Sequence, residues 1–266
     1  MKRRTFLSTA AGASALLAIK PTAVAAEAGA NSSSQQYFEL IKYRLLVGPK
    51  KKLFTDYVKN ALIPALNRAG IATVGAFTVK YGPNDPTLYL LLPHASLESV
   101  VSTPARLLAD TEYLKAAAGV VDAPLSDPAY AGIETIVLRA FTGMPRIEPP
   151  TALLKHNARI YELRIYESSS QKVGKKKVEM FNEGGEIEIF RRTGLLPVMF
   201  GETVIGGPQP SLQYLLAFEN MDARDKCWAV FGKDPAWVKL RADPQYADTV
   251  SNITDLILSP LPCSQI

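Results

Sequence analysis

Between Tyr161 and Tyr166 the chain reads YELRIY, with Glu162, Arg164 and Tyr166 alternating with Tyr161, Leu163 and Ile165. A strand of this pattern puts three apolar side chains on one face and an acid, a base and a phenol on the other. Such a polar row could do chemistry. Arg164 would hold an anionic oxygen with its planar, permanently charged fork, and Tyr166 or Glu162 would transfer a proton. Burial demands that these groups be paired with one another or with a ligand. The row therefore reads either as a binding cleft or as a salt-bridge network between two sheets. Near the start of the chain, YFELIKY repeats the arrangement with Glu39 and Tyr43 in place, but Ile41 stands where Arg164 would be.

Other reactive residue types are sparse. The two histidines, His94 and His156, have no Asp, Cys or second His at metal-ligand spacing, so no metal site is expected. No cofactor is expected either, the alternative being haem held through His94. Cys227 and Cys263 form neither a CxxC nor a zinc pattern. An exported compartment would permit a disulfide between them, but Cys227, beside Trp228 in a helical stretch, reads as a small packing residue. G-x-S-x-G, P-loop and G-x-G-x-x-G motifs are absent, which removes the enzyme classes built on them. Trp228, Phe231 and Trp237 share one side of a helical region, where Trp228 and Trp237 could wall a ligand site or simply fill the core.

Two units must position these residues. Asn67 to Ile71 parallels Arg191 to Leu195, Leu88 to Leu92 parallels Leu212 to Leu216, and Asp110 to Lys115 parallels Asp234 to Lys239, always at an offset of 124 residues. A constant register over that distance argues for duplication of a domain-sized unit. The first unit, residues 37–141, reads as strands at 38–46, 73–80, 87–92 and 133–141. Its helices fall at 50–68, kinked at Pro64 and ended by Gly70, and at 96–117, interrupted around Pro104. A turn lies at 82–86. Residues 142–157, with Pro145, Pro149 and Pro150, read as a linker.

The second unit, 158–266, repeats the order with strands at 160–166, 196–203, 212–218 and 253–258 and helices at 172–192 and 221–240. In the first of these helices the Gly184-Gly185 pair would permit close packing, while Glu179, Glu183 and Glu186 take the polar side and Lys175 to Lys177 form a solvated start. Each unit is thus β-α-β-β-α-β, the ferredoxin-like order. A four-stranded sheet covered by helices on one side needs a partner for its other face. The expected fold is α+β, two tandem ferredoxin-like units closing sheet to sheet as an intramolecular dimeric α/β barrel.

At the N-terminus Arg3 and Arg4 precede an apolar segment to Ile19 and the small-x-small sequence Ala23-Val24-Ala25. This is the layout of an export signal over residues 1–25, and Arg3-Arg4-Thr5-Phe6-Leu7 resembles a twin-arginine translocation motif. A periplasmic or otherwise exported protein is expected, followed at 26–36 by a flexible mature terminus. The apolar segment is too short to span a membrane, so no membrane association is expected once the signal is removed. Its removal leaves 26 basic and 25 acidic residues, a net charge of +1 in place of +5. Without a strong positive field, nucleic acid is not an expected partner. A small-molecule ligand is, and self-association stays open.

YELRIY, FNEGGEIEIFRRTGLLPV, GETVIG and the run from Met221 to Pro260 together resemble the NIPSNAP family over essentially all of the second unit. The first unit resembles a more divergent repeat of the same type. The resemblance implies the dimeric α/β barrel superfold, which also hosts small monooxygenases, haem enzymes and isomerases. It supplies no catalytic residues. Two functions stand side by side: conversion of a small organic molecule in a barrel cavity by a cofactor-independent oxygenase or isomerase, or a binding or structural module without turnover.

Overall fold

A computed structural model of the protein describes residues 35–83 and 86–266. The expected export signal, most of the mature terminus and the centre of the 82–86 turn lie outside the described residues. Eight strands form the core: β1 (Tyr37–Arg44), β2 (Gly75–Tyr81), β3 (Thr87–His94), β4 (Gly132–Ala140), β5 (Ile160–Glu167), β6 (Leu196–Ile205), β7 (Ser211–Phe218) and β8 (Asn252–Pro260). They close into one barrel in the order β1-β3-β2-β8-β5-β7-β6-β4, every pairing antiparallel. The fold is α+β, and the two four-stranded sheets meet at two seams, β2 with β8 and β4 with β6.

Registers repeat between the halves. Glu39 lies opposite Leu92 and Glu162 opposite Leu216; Tyr43 lies opposite Leu88 and Tyr166 opposite Leu212. Ile41 and Arg164 therefore occupy equivalent places, opposite Leu90 and Tyr214.

Alternation assigns the two faces of each sheet. Phe38, Leu40, Tyr89, Tyr161, Leu163 and Leu215 point inward and belong to one buried cluster drawn from both halves. The barrel interior is packed with side chains, so the expectation of a cavity between the sheets is corrected. Dense packing is what inward-facing large apolar residues on every strand produce in a small barrel. The opposite faces carry the helices: α1 (Lys50–Tyr57), α2 (Ile63–Arg68), α3 (Leu97–Ala109) and α4 (Thr111–Val121) on the N-terminal half, with α5 (Gln171–Asn182), α6 (Glu186–Arg192), α7 (Met221–Lys233) and α8 (Pro235–Arg241) on the C-terminal half. Glu162, Arg164 and Tyr166 lie on this helix-covered face and not between the sheets, because they share parity with Ile160, which packs under the helices.

The helices break where their caps demand. Between α1 and α2 a π-helical turn runs over Val58–Leu62, just before Pro64, whose ring cannot donate the usual i→i−4 bond. Pro104 sits inside α3, contrary to the expected interruption, and the break comes at Asp110, whose carboxylate accepts from the Tyr113 N–H. Asp234 does the same between α7 and α8, accepting from Ala236 and Trp237. Gly184-Gly185 does not lie within a helix. Gly185 takes φ 80° and starts α6, which resets the helical phase and turns Glu186 inward.

There Glu186, 2% exposed, pairs with Lys177, 4% exposed, at 2.8 Å. Lys177 is thus the exception in a lysine run expected to be solvated, since it falls on the same face of α5 as Met180 and Phe181. At the other terminus, Gln35 and Gln36 do not belong to a flexible tail: Gln35 donates to the Ala140 carbonyl and Gln36 bonds Pro145 and Ile147 of the linker. Leu153 and Ile147 of that linker pack on the barrel interior.

Candidate functional site

The same acid stands at the same register position under the helices of each half, and its surroundings differ completely. In the C-terminal half Glu162 is 0% exposed and receives four donors: Arg164 Nη1 at 2.9 Å, Arg224 Nε at 3.0 Å and Nη2 at 2.7 Å, and Trp228 Nε1 at 2.7 Å. The Arg164 guanidinium lies 4.8 Å from the Trp228 ring centre and 5.5 Å from that of Tyr166, and its Nε is 3.2 Å from Asp255. Tyr166 accepts from the Tyr214 hydroxyl at 2.8 Å. A carboxylate with this many charge-assisted donors is held in one orientation, and little of its bonding capacity is left for a ligand.

In the N-terminal half Glu39, 8% exposed, has His94: Nε2 lies 3.1 Å from Glu39 Oε2, and the other ring nitrogen is 3.0 Å from Ser99 Oγ. No lysine or arginine lies within ion-pair distance of Glu39 among the described residues. Glu39 opens instead onto a cavity of about 290 Å³ between the sheet and α2, α3 and α4, whose walls include Ile41, Tyr43, Tyr57, Leu66, Leu107 and Tyr113. Thr103 and Thr135 add hydroxyl groups. A concave, largely apolar space with a few convergent polar groups is what a small-molecule site requires.

The void has an identifiable origin. Register sets Ile41 and Thr135 where Arg164 and Asp255 stand in the other half. The 124-residue offset, kept by the equivalent helix caps Ser96 and Asn220, sets Val100 and Pro104 where Arg224 and Trp228 stand. Two guanidiniums and an indole are replaced by an isoleucine, a valine and a proline, and the space they fill in one half is open in the other.

Phenols line one wall. Tyr57 and Tyr113 share a hydrogen bond of 2.8 Å, and Tyr43 packs on Phe54 and Tyr130 at ring-centre distances of 4.7 and 5.6 Å. Burial pushes the Tyr43, Tyr57 and Tyr113 hydroxyls above the usual phenol range, so all three stay protonated. Glu39 is the one carboxyl group among the residues that line the cavity, with His94 and Ser99 behind it.

The structure divides the sequence-selected residues between the halves. Glu39 and Tyr43 line the cavity; Glu162, Arg164, Tyr166 and Trp228 form the packed cluster of the other half, and Trp237 packs tilted against Phe231 at a ring-centre distance of 4.5 Å. Tyr57, Thr103 and Tyr113 join the site from the structure alone, although the repeat offset makes Tyr113 equivalent to Trp237 and Pro104 equivalent to Trp228, a signal of lost volume. Among the described residues no group of three or more His, Cys, Asp or Glu could hold a metal. An axial bond from His94 to a haem iron would have to replace one of its two present partners. Cys227 and Cys263 are free thiols, and no helix among the described residues is long and apolar enough to cross a membrane.

A family profile described as NIPSNAP matches residues 38–123 and 161–265. A presumptive monooxygenase from Fusobacterium nucleatum shares the fold at a TM-score of 0.56 and 9% identity, over 86% of this chain and 94% of its own. Another from Lactobacillus acidophilus does so at 0.56 and 10%, over 85% and 94%. A NIPSNAP family protein of unknown function from Agrobacterium tumefaciens is 25% identical over 40% of this chain and 90% of its own, with a TM-score of 0.35. No curated protein sequence matches the chain.

Proposed function

The chain belongs to the NIPSNAP family, and we propose that it binds and converts a small organic molecule in the cavity of its N-terminal half. Glu39 is the polar anchor and proton acceptor, and the C-terminal half is the rigid partner that completes the barrel. One observation carries this reading: the acid common to both halves is saturated with donors at Glu162 and opens onto about 290 Å³ of space at Glu39.

The reaction class is proton transfer without a cofactor. Loss of a C–H proton from substrate to Glu39 leaves an electron-rich carbon on the substrate and a neutral Glu39 carboxyl. In an isomerase the proton returns at another atom. In an oxygenase the electron-rich carbon gives an electron to O2, the radical pair joins as a peroxide that takes the proton back from Glu39, and loss of water leaves a carbonyl in place of a CH2. The presumptive monooxygenases of the same fold point to the oxygenase. We also propose that Arg3 and Arg4 direct export of the protein.

The test is a search for a ligand carried through purification, by native mass spectrometry, together with thermal-shift screening of small aromatic compounds. Leu107→Trp, which fills the cavity, serves as the control. Ligand-induced stabilisation in the wild-type protein and none in the filled variant is the expected result. Equal shifts in both proteins, or none in either, would overturn the proposal.

A further inference from the structure

We propose that the molecule taken by the N-terminal cavity is a small organic cation, an apolar amine or amidine whose charged nitrogen donates to Glu39. The proposal rests on the reading of that cavity as a small-molecule site and adds the class of ligand.

The C-terminal half displays the chemistry this position accepts. Every donor to Glu162 is a nitrogen: two belong to the guanidinium of Arg224, one to that of Arg164 and one to the Trp228 indole. The Arg164 guanidinium also lies over the faces of Tyr166 and Trp228. Acid and aromatic rings thus form a cation-binding frame that side chains of the protein itself occupy.

The N-terminal half keeps the acid and one ring of this frame and loses the two guanidiniums and the indole. Glu39 holds the place of Glu162 and Tyr43 that of Tyr166, while Ile41, Val100 and Pro104 hold the places of Arg164, Arg224 and Trp228. A buried carboxylate needs a counter-charge or a full set of donors. Glu39 has one ring nitrogen of His94 at 3.1 Å, and no lysine or arginine among the described residues approaches it. The remaining walls suit an apolar cation, because Tyr43, Tyr57 and Tyr113 supply aromatic rings and Leu66 and Leu107 apolar surface for a hydrocarbon body. No lysine or arginine is among the residues that line the cavity, and Arg106, outside that lining, is already bonded to the Thr103 hydroxyl at 2.9 Å, so an anionic ligand would meet the Glu39 carboxylate without a lining cation of its own.

Three near-isosteric probes separate the alternatives: 2-phenylethylamine, 2-phenylethanol and phenylacetate, titrated calorimetrically into the full chain near neutral pH. The amine should bind at least about 10-fold tighter than the alcohol, the worth of a charge-assisted hydrogen bond over a neutral one, and phenylacetate should bind weakest. Glu39→Gln should bring the amine to within about 3-fold of the alcohol, since the charge assistance is gone. Ile41→Arg supplies an internal guanidinium to Glu39 and should abolish amine binding in a protein that is folded by circular dichroism. That second variant decides the matter if Glu39→Gln fails to fold. Alcohol or phenylacetate binding as tightly as the amine would overturn the cation assignment and leave the cavity as a ligand site. An amine affinity unchanged by both Glu39→Gln and Ile41→Arg would overturn it too. Binding of none of the three would overturn this proposal and the functional reading together.

Discussion

Neutralising the same acid in each half should have very different consequences. In Glu162→Gln the fully buried carboxylate is lost while four donors remain aimed at it: one from Arg164, two from Arg224 and the Trp228 indole N–H. Removing one partner of a buried ion pair costs about 3–5 kcal/mol, because the other is left uncompensated. Arg164 retains Asp255, and Arg224, 21% exposed, retains Asp225 and can move toward water, which places the cost near the lower end. For a domain of this size each kcal/mol moves the melting temperature by about 2–4 °C, so a fall of roughly 6–12 °C follows. Glu39→Gln loses one contact, that to His94, and should cost about 1 kcal/mol, or about 2–4 °C. Differential scanning calorimetry of the two variants beside the wild type reads the difference directly. Equal shifts, or a larger fall for Glu39→Gln, would refute the division into a saturated acid and an available one.

Lys177→Met should destabilise by about 3–5 kcal/mol by stranding the buried Glu186, and most of that loss should return when Glu186→Leu is added; urea unfolding of the wild type, the two single variants and the double variant measures it. Asp234 is held down at about 2, first by the Arg192 hydrogen bond, and Asp110 is lowered first by the Tyr113 N–H and then by Arg68. Their folded-state values lie below the unfolded ones, so their contribution is present above about pH 4 and fades as pH falls below it, down to about 2 for Asp234. Asp234→Asn should flatten the acid limb of a stability-against-pH curve, and an unchanged limb would count against this assignment. Replacing both Arg3 and Arg4 by lysine should stop export through a twin-arginine route; undiminished periplasmic accumulation would refute that route.

The strands and their duplication were legible because alternation has a fixed period and because equivalent segments recur at one offset. The polar row was legible too, but alternation cannot say which face of a strand looks at the other sheet. Parity with Ile160, which packs under the helices, decides that Glu162, Arg164 and Tyr166 face outward. Capping marks helix breaks better than proline does here: Pro104 is carried inside α3, while the break falls at Asp110, whose side chain caps α4. Lys177 was hidden in a run of lysines because its burial depends on Glu186, which turns inward only after Gly185 has reset the helix phase. The cavity lay furthest from view. It is a deficit of volume summed over Ile41, Val100 and Pro104, on three separate stretches of chain, and only subtraction of one repeat from the other makes it visible.

Closure of the barrel has a kinetic consequence. The seam that pairs Phe77 with Pro260 joins segments from opposite ends of the described chain, and the other seam pairs Val137 with Ile205. Contacts so distant in sequence are slow to form, because the loop entropy between them is lost before they give anything back. Until β8 and β6 arrive, β2 and β4 respectively present bare hydrogen-bonding edges and the N-terminal sheet exposes Phe38, Leu40, Tyr89 and Leu91, the side chains that later fill the interior. The unfinished chain is therefore the aggregation-prone species, and the finished barrel has no free edge for another strand to join.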